Sequence, residues 1–321
     1  MSVESGGEKF PAVSIVMPAY RTTEYICEAL DSVLAQTFRD FEIIVVNDAC
    51  PDTINLERVL APYLSQVNYL KQAHGGPAVA RNTGILAARA PLIALLDSDD
   101  AWEADYLEVQ LAIIQASPEI DLLYPNATFF GDTPDAGRRY TDLFPSQGEV
   151  TLRSVLERRC WIFYGLLARR EVLLRAGLYN PTLVNGEDLD LWLRVLNQGG
   201  RIAYHRKPLV RYRGRSGSIT RDALSSSQQL ISVLTKARHT LNLGDSDRCC
   251  LEGAIASQTA WLHHQIGRKA FFEGDMQTAY SNMAEANRHF RSVKGTIVLF
   301  LIRHAPRFLR WVADRRSQRG F

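Results

Sequence analysis

Three carboxylates, Asp97, Asp99 and Asp100, follow directly on a run of five apolar residues at 92–96. A run of that kind is typical of a buried strand. Carboxylates at the end of a buried strand repel one another and resist desolvation, so they need positive charge nearby. A divalent cation with a phosphate-bearing ligand would supply it, because hard cations prefer carboxylate oxygens. The alternative interpretation is a solvated acidic turn with a helix cap, and the motif alone supports the two interpretations equally.

Two further residues have the chemistry to join such a site. Asp48 ends the apolar run at 41–46, where its carboxylate would either bind a ligand or close an Asx turn with Asn47. Arg81 opens a helix after the turn at 74–77, and its guanidinium would hold a phosphate or brace the acidic cluster. A solvated arginine on a helix face is the ordinary alternative for Arg81.

Glu187 and Asp188 precede an apolar helix predicted at residues 189–197. A carboxylate at Asp188 can take a proton from a reacting hydroxyl or can cap the helix, and one position can serve both roles. Further along, residues 211–218 are rich in arginine and glycine. Glycines permit hinge motion and arginines can bind phosphate.

Strands that alternate with helices must position these residues. Apolar runs predict strands at residues 13–17, 41–46, 67–70, 92–96, 122–130, 163–168, 202–204 and 209–213. Apolar stripes and turn signals predict helices at residues 25–36, 56–64, 78–88, 105–115, 170–176 and 189–197. This alternation indicates an α/β fold with a mostly parallel sheet, whose ligands bind at the carboxyl ends of the strands.

The bulk composition excludes several classes of function. The chain has 321 residues and a net charge of +2, and so small a net charge does not indicate binding to nucleic acid. Its five cysteines show no CxxC spacing, so we expect neither a metal nor a disulfide framework and a reduced, cytoplasmic compartment. We find no secretory signal and no apolar run of about 18 residues, and therefore expect no transmembrane helix.

The pattern becomes almost entirely helical after residue 222. Residues 270–286 are typical of a helix, a turn at Gly274 and a second helix that packs on the rest of the protein. From Arg291 onward there are eight Arg or Lys residues and one acidic residue, Asp314. The basic residues alternate with apolar residues. That mixture is typical of an amphipathic helix on an anionic membrane or of a terminal helix packed on the domain. We predict a flexible N-terminus at 1–10, an α/β domain at 11–222 and a helical extension at 223–321.

Four motifs in a fixed order give the chain its family likeness. They are VSIVMPAY at 13–20, EIIVVND at 42–48, ARNTG at 80–84 leading to DSDD at 97–100, and GED at 186–188 before WL at 192–193. Together they make residues 11–220 resemble the inverting family 2 glycosyltransferases with a GT-A fold. Each motif is weak alone, and four in order are strong. The resemblance implies a Rossmann-like, mostly parallel sheet flanked by helices.

The resemblance also implies a nucleotide-sugar donor, with a UDP-sugar expected. Asp48 would accept the imide N–H of the uracil base, and Asp97 would contact the donor ribose or a metal-bound water. Asp99 would ligate Mg²⁺ or Mn²⁺, which offsets the negative charge that develops on the leaving nucleoside diphosphate. The remaining predicted donor-binding residues are Pro18, Ala19, Tyr20, Arg81, Arg213 and Arg215.

On the acceptor side, the resemblance implies that Asp188 is the general base. An inverting transfer needs only one such base, because no covalent glycosyl-enzyme forms. Glu187 and Trp192 are predicted to bind the acceptor, and Glu187 alternatively to orient the base. Residues 211–218 match the loop that closes over the diphosphate in these enzymes. The absence of a Gln-x-x-Arg-Trp motif, which marks processive synthases, favours addition of single sugars.

The implied setting is assembly of bacterial surface polysaccharide or glycoconjugate at the inner face of the cell membrane. The acceptor would be a glycan, a lipid-linked sugar or another hydroxyl compound. Two departures from the family pattern leave details open. Residues 49–51 replace the commoner Gly-Ser, which leaves the nucleotide undecided, and Arg213 and Arg215 stand where many relatives have a metal-binding histidine.

Two rival functions use related folds. A sugar nucleotidyltransferase would need a glycine-rich loop after the first strand, which residues 18–23 lack. A non-catalytic nucleotide-sugar-binding or scaffold protein is the second rival, and the intact Asp97, Asp99 and Asp188 argue against it. Asp100 and Glu103 have the spacing of a capping box, so we predict that Asp100 is a structural helix cap.

Overall fold

The structure is a computed structural model that describes residues 10–183, 185–215 and 223–317. The chain forms two compact units, Met1–Ser218 and Ile219–Phe321. The predicted flexible N-terminus, apart from Phe10, and residues 216–218 of the predicted closing loop lie outside the described residues.

One eight-stranded sheet organises the first unit. Its strands are β1 (Val13–Ala19), β2 (Phe41–Asp48), β3 (Val67–Gln72), β4 (Leu92–Leu95), β5 (Ala101–Trp102), β6 (Leu122–Gly131), β7 (Leu167–Arg169) and β8 (Ile202–Gly214). They lie in the order β3-β2-β1-β4-β7-β6-β8-β5. Strands β3, β2, β1 and β4 pair with their neighbours in parallel, and so do β6 and β8. The predicted α/β fold with a mostly parallel sheet is confirmed.

Parallel register brings the carboxyl ends of these strands to one edge of the sheet. Ala19 pairs with Asn47, and Asp48 pairs with Gln72. Because β4 runs parallel to β1, the chain after Leu95 leaves the sheet at that same edge. The predicted donor-site residues of three strand ends therefore share the edge where α/β sheets bind ligands.

The strand β8 is longer than the sequence predicts. The structure joins the two predicted strands, 202–204 and 209–213, into one, with an irregularity in its pairing to β6 near Asn126. The residues between them are polar, and a bulge breaks the regular alternation of side chains there. The sequence pattern therefore does not indicate one continuous strand. At its carboxyl end β8 pairs with β5, Ala101 opposite Arg211, which brings the arginines of β8 to the acidic cluster.

In the described part of the first unit, six helices follow the predicted order with shifted ends, and two short helices, Tyr140–Leu143 and Leu152–Leu156, were not predicted. They are α1 (Ile26–Leu34), α2 (Thr53–Leu60) with a 3-10 turn (Ala61–Tyr63), α3 (Gly76–Ala87), α4 (Tyr106–Ala116), α5 (Tyr140–Leu143), α6 (Leu152–Leu156), α7 (Arg170–Arg175) and α8 (Glu187–Asn197). Gly84 of α3 lies so close to β1 that an added Cβ would be 2.3 Å from Val16 Cγ1. This close approach holds α3, and with it Arg81, against the sheet.

The second unit contains, among the described residues, the helices α9 (Ala223–Thr240), α10 (Asp245–Glu273), α11 (Met276–Phe290), α12 (Val293–His304) and α13 (Pro306–Ser317). Gly274 ends α10 with φ +93°, and the Asp275 carboxylate caps α11 by accepting from the Thr278 amide at 3.0 Å. The predicted helix–turn–helix is therefore confirmed. None of the helices in the described part of the chain combines the length and apolar character that a bilayer crossing needs.

Candidate active site

Asp48 is buried at the end of β2, and donors of the protein surround its carboxylate. Oδ1 accepts from Gln72 Nε2 at 2.7 Å and from the Gly75 amide at 2.8 Å, while Oδ2 accepts from the Gly76 amide at 2.8 Å. The Nδ1 atom of His74 lies 2.9 Å from Oδ2. Asp48 therefore fixes the turn that begins α3, and its predicted contact with a uracil base stays a prediction.

Tyr20 directly follows β1 and contacts His74, the residue whose ring lies next to Asp48. Its ring stacks on the His74 ring with the centroids 4.5 Å apart and the planes at 23°. Aromatic faces of this kind are surfaces on which a planar base can stack. Ala19 is fully buried, and the Pro18 carbonyl accepts a hydrogen bond from the Ser98 hydroxyl at 2.7 Å, so the predicted donor contacts of these two residues stay predictions.

Arg81 is buried on α3 and joins carboxylates from distant parts of the chain. Its Nη2 donates to Asp97 Oδ1 at 2.9 Å, and its Nη1 donates to Glu187 Oε1 at 2.8 Å. The Asp188 Oδ1 atom lies 3.8 Å from Nη1. Burial by itself would lower the pKa of Arg81, but the three carboxylates raise this pKa well above its usual value. Arg81 thus braces the acidic cluster, which is one of its two predicted roles.

Asp188 is the second residue of α8, and Gly186 occupies the N-cap position. The alternative that Asp188 caps this helix is therefore wrong. Burial raises the pKa of Asp188 to about 7, against the opposing effect of Arg81 and with help from Glu187 and Asp97. Its Oδ1 atom is buried without a hydrogen-bond partner among the described residues. Such a carboxylate can accept a proton near neutral pH.

Asp99 faces the arginines at the end of β8. Its Oδ2 lies 2.8 Å from Arg215 Nε, and its carbonyl oxygen accepts from Arg213 Nε at 2.7 Å. Arg213 also pairs with Glu28 of α1. Burial and the charge of Asp97 raise the pKa of Asp99, while Arg215 and Arg213 lower it. Both predicted arginines therefore lie at the acidic cluster, where they bind carboxylate and carbonyl oxygens of the protein.

Asp100 is structural, as predicted, but it is not a helix cap. The residues that follow it form β5, so α4 begins only at Tyr106, with Asp105 as its N-cap residue. The buried Asp100 carboxylate instead accepts from the Arg213 amide at 2.7 Å and from the Tyr164 hydroxyl. Burial, together with the charges of Asp99 and Asp97, raises its pKa well above the usual value.

Trp192 does not reach the acceptor side directly, which corrects its predicted role. Its side chain is 2% exposed and packs edge-on against Tyr179, with the ring centroids 6.2 Å apart. The apolar face of α8 points into the core, and Trp192 belongs to that face. Glu187 is also buried, and its ion pair with Arg81 supports the role of orienting the base.

Sequence reasoning missed three side chains that shape the site, those of Tyr164, Tyr179 and Glu28. The Arg81 guanidinium carbon lies 5.8 Å from the ring centre of Tyr164 and 5.5 Å from that of Tyr179, so two aromatic faces enclose it. Glu28 pairs with Arg213 and with Arg211. Asn82 of the ARNTG motif, whose side chain can hydrogen-bond to backbone, holds the Tyr179 backbone by two hydrogen bonds.

Asp97 and Asp99 provide the oxygen ligands that a hard divalent cation prefers. Burial and the charge of Asp97 raise the pKa of Asp99, and a bound cation would offset both effects on this carboxylate. No group of three or more His, Cys, Asp or Glu side chains within the described residues is arranged to hold a metal alone. The pair fits an ion that takes its remaining ligands from phosphate and water.

Comparison with known proteins identifies the family of the chain. The family model described as Glycosyl transferase family 2 matches residues 14–173. The chain is 33% identical over 188 residues to the UDP-Glc:alpha-D-GlcNAc-diphosphoundecaprenol beta-1,3-glucosyltransferase WfgD of Escherichia coli, covering 57% of this chain and 69% of that protein. The chain belongs to glycosyl transferase family 2. It spans less than a third of the length of several uncharacterized Rickettsia glycosyltransferases that it also matches.

Solved structures show that this family 2 chain has the GT-A fold. TarS of S. aureus in complex with UDP-GlcNAc superposes with a TM-score of 0.62 at 18% identity, covering 86% of this chain and 82% of TarS. The mannosyltransferase PcManGT of Pyrobaculum calidifontis, in complex with GDP-Man and Mn²⁺, gives a TM-score of 0.57 at 17% identity, covering 94% and 83%.

Proposed function

We propose that the chain is a non-processive glycosyltransferase that moves one sugar from a nucleotide-sugar to an acceptor hydroxyl with inversion of configuration. The observation that carries this proposal is the link made by Arg81. It joins Asp97, at the predicted donor edge, to Glu187 and Asp188, the latter a carboxylate with a pKa of about 7. A donor site and a general base are thereby held by one buried cation.

In the proposed reaction the acceptor oxygen attacks the anomeric carbon of the donor sugar. The proton of that hydroxyl passes to Asp188 as the new carbon–oxygen bond forms. The bond to the diphosphate breaks on the opposite face of the sugar, and the nucleoside diphosphate leaves with the electron pair. One base is sufficient, and the attack from the opposite face inverts the anomeric configuration.

The donor is expected to be a UDP-sugar bound at the carboxyl edge of the sheet. The stacked rings of Tyr20 and His74 beside Asp48 support a base-binding position there. The neighbours TarS and PcManGT were solved with UDP-GlcNAc and GDP-Man respectively, so a nucleotide comparison belongs in the test.

Asp99 would hold Mg²⁺ or Mn²⁺, and Asp97 would contact the donor ribose or a water bound to the ion. When bound, the ion would offset the negative charge that develops on the leaving diphosphate. Arg213 and Arg215, which already lie at this cluster, place further positive charge where that diphosphate would leave. The presence of Mn²⁺ in PcManGT supports the choice of ion.

The acceptor is proposed to be a glycan or a lipid-linked sugar used in bacterial surface polysaccharide or glycoconjugate synthesis. WfgD, whose name gives a diphosphoundecaprenol-linked sugar as its substrate, supports that class. We place the reaction at the inner face of the cell membrane, in peripheral contact with it.

A donor screen tests this function. Purified chain is incubated with UDP-, GDP- and dTDP-sugars and Mn²⁺, and release of nucleoside diphosphate is followed with and without lipid-linked acceptors. We expect release with a UDP-sugar, lost in the presence of a chelator. Nucleotide-sugar binding without any release for every donor and acceptor would favour the scaffold alternative, and absence of binding would refute both.

A further inference from the structure

The helices α12 and α13 expose large apolar side chains that the other helices of the second unit leave uncovered. On α12, Val293 is 78% exposed and Phe300 is 61% exposed. On α13, Phe308 and Trp311 are about half exposed, with their rings stacked and the centroids 5.8 Å apart. Apolar area of this size outside a core marks an interaction surface.

The exposed residues of α12 form one face of the helix. Val293, Ile297 and Phe300 follow one another at spacings of four and three, which places them along a single stripe. The opposite side of the helix carries Ile302, which is buried in a cluster with residues of α10 and α11. Helix α12 is therefore apolar on two sides, and its attachment to the unit uses only one of them.

Positive charge surrounds this stripe. Lys294 and Arg303 lie on either side of it, and both are exposed. Three more exposed arginines lie next to the apolar residues of α13: Arg307, Arg310 and Arg315. From Arg291 to residue 321, the sequence has eight Arg or Lys residues and a single acidic residue.

We propose that this surface, the exposed stripe of α12 with Phe308 and Trp311 of α13, docks on a lipid bilayer that contains anionic headgroups. The apolar side chains would enter the boundary between headgroups and acyl chains, and the flanking cations would bind the anionic headgroups. Tryptophan is favoured at that boundary because its ring is apolar and its N–H is polar.

Charge decides against a second copy of the chain as the partner. An interface between two copies would press one cationic surface against another, and like charges at close range oppose association. An anionic bilayer satisfies both the apolar and the charged parts of the surface. The proposal deepens the proposed function, because it names the surface for the peripheral membrane contact that the function includes. These helices lie outside the region that matches the family model and contain none of the proposed site residues.

Vesicle co-sedimentation of the full chain tests the proposal. The vesicles contain phosphatidylcholine alone or phosphatidylcholine with phosphatidylglycerol. We expect the partition coefficient to be about tenfold or more higher with phosphatidylglycerol and to fall as salt is added, because each cation near the surface adds to binding. Absence of binding, or equal binding to both vesicles, would overturn the proposal.

Matched variants identify the surface. The double variant Ile297→Ser with Phe300→Ser is expected to lower the partition coefficient about tenfold, since two large apolar side chains no longer enter the bilayer. Ile54→Ser is the control, because Ile54 is 78% exposed in the first unit and should leave binding unchanged. An equal loss in both variants would contradict the assignment.

Charge variants and oligomeric state complete the test. Arg303→Gln with Arg310→Gln should weaken binding to anionic vesicles, whereas Arg206→Gln, a variant at an exposed arginine of β8, should not. Sedimentation velocity without lipid asks whether a second copy covers the stripe. A dimer that dissociates in the Ile297/Phe300 variant would refute the bilayer proposal. Donor turnover without vesicles is measured separately, so failure of docking and failure of the proposed transfer are distinguishable.

Discussion

Arg215 Nε lies 2.8 Å from Asp99 Oδ2, so a cation of the protein already pairs with the carboxylate that is proposed to bind the metal. Asp99 is partly buried and lies close to Asp97, whose charge raises its pKa. The arginine therefore offsets repulsion that a divalent ion would otherwise offset. A metal ion and Arg215 should compete for the same carboxylate oxygen.

Arg215→Gln should consequently tighten the binding of Mn²⁺ in the absence of nucleotide. The expected change is about threefold to fivefold, the size of a partly exposed ion pair. Titration calorimetry or the electron paramagnetic resonance of free Mn²⁺ would measure it. Arg211→Gln is the matched control, because Arg211 lies on β8 shortly before Arg215 and pairs with Glu28 instead of Asp99. Equal Mn²⁺ affinity of Arg215→Gln and the unmodified chain would show that the pair does not restrain the metal.

Asp188→Asn should remove transfer while leaving the donor bound. The amide keeps nearly the same shape but cannot take the proton of the acceptor hydroxyl, so kcat should fall by about a hundredfold to ten-thousandfold. Steady-state kinetics and titration with the nucleoside diphosphate give the two quantities. Unchanged kcat in this variant would exclude Asp188 as the base.

The raised pKa of Asp188 also predicts how activity depends on pH. Below about pH 7 the carboxyl is protonated and cannot act as a base, so kcat/KM should fall tenfold per pH unit on the acidic side. Measurement of kcat/KM from pH 5 to 9 in buffers of constant ionic strength tests this. A flat profile down to pH 5 would contradict the assigned base.

Stability should change with pH in the opposite sense. The pKa of Asp188 is higher in the folded chain than its ordinary value of 3.8, so the folded state favours the protonated carboxyl. Its contribution to stability is complete below about pH 4 and is lost as pH rises through about 7. The melting temperature of Asp188→Asn should therefore exceed that of the unmodified chain at pH 8, and the difference should shrink at lower pH.

The sheet and its functional edge could be predicted because local patterns determine them. Apolar runs at 41–46 and 92–96 indicate buried strands, and parallel strands place Asp48 and Asp97 at one edge. The helix–turn–helix at Gly274 could also be predicted from a local signal, since glycine favours the left-handed conformation that ends α10.

Contacts between distant parts of the chain could not be predicted in this way. Arg81 and Glu187 are 106 positions apart, and no local pattern pairs them. The capping-box spacing at Asp100 was a valid local signal, but the pairing of β5 with β8 prevents a helix there and gives that carboxylate partners from Arg213 and Tyr164. Tertiary pairing therefore decided the role of Asp100.

Gly84 is predicted to be indispensable to the packing of α3. A Cβ at this position would lie 2.3 Å from Val16 Cγ1, so Gly84→Ala must displace the helix or the strand and should cost about 1–3 kcal/mol. Gly253→Ala, in open space on α10, should instead stabilise by up to about 1 kcal/mol because alanine favours a helix. Urea unfolding gives both values, and a loss of the same size in both variants would contradict the steric explanation.

Removal of the Arg81 side chain should be far more destabilising than removal of an exposed arginine that also forms an ion pair. Arg81→Gln leaves Asp97 and Glu187 without their buried cation, which should lower the free energy of unfolding by about 3–5 kcal/mol. Arg89, paired with Glu42 at 2.8 Å, has a side chain that is 53% exposed, so Arg89→Gln should cost no more than about 1 kcal/mol.

Arg81→Lys separates charge from geometry and remains informative if Arg81→Gln does not fold. A lysine supplies one positive centre, whereas the guanidinium donates to Asp97 and Glu187 through two different nitrogens. Its unfolding free energy should therefore lie between those of the unmodified chain and Arg81→Gln. The apparent pKa of the acidic limb in kcat/KM should shift in Arg81→Lys, because Arg81 opposes the rise in the pKa of Asp188. If Arg81→Lys unfolds more easily but its kcat/KM profile keeps the same acidic pKa, Arg81 supports the fold without affecting the pKa of Asp188.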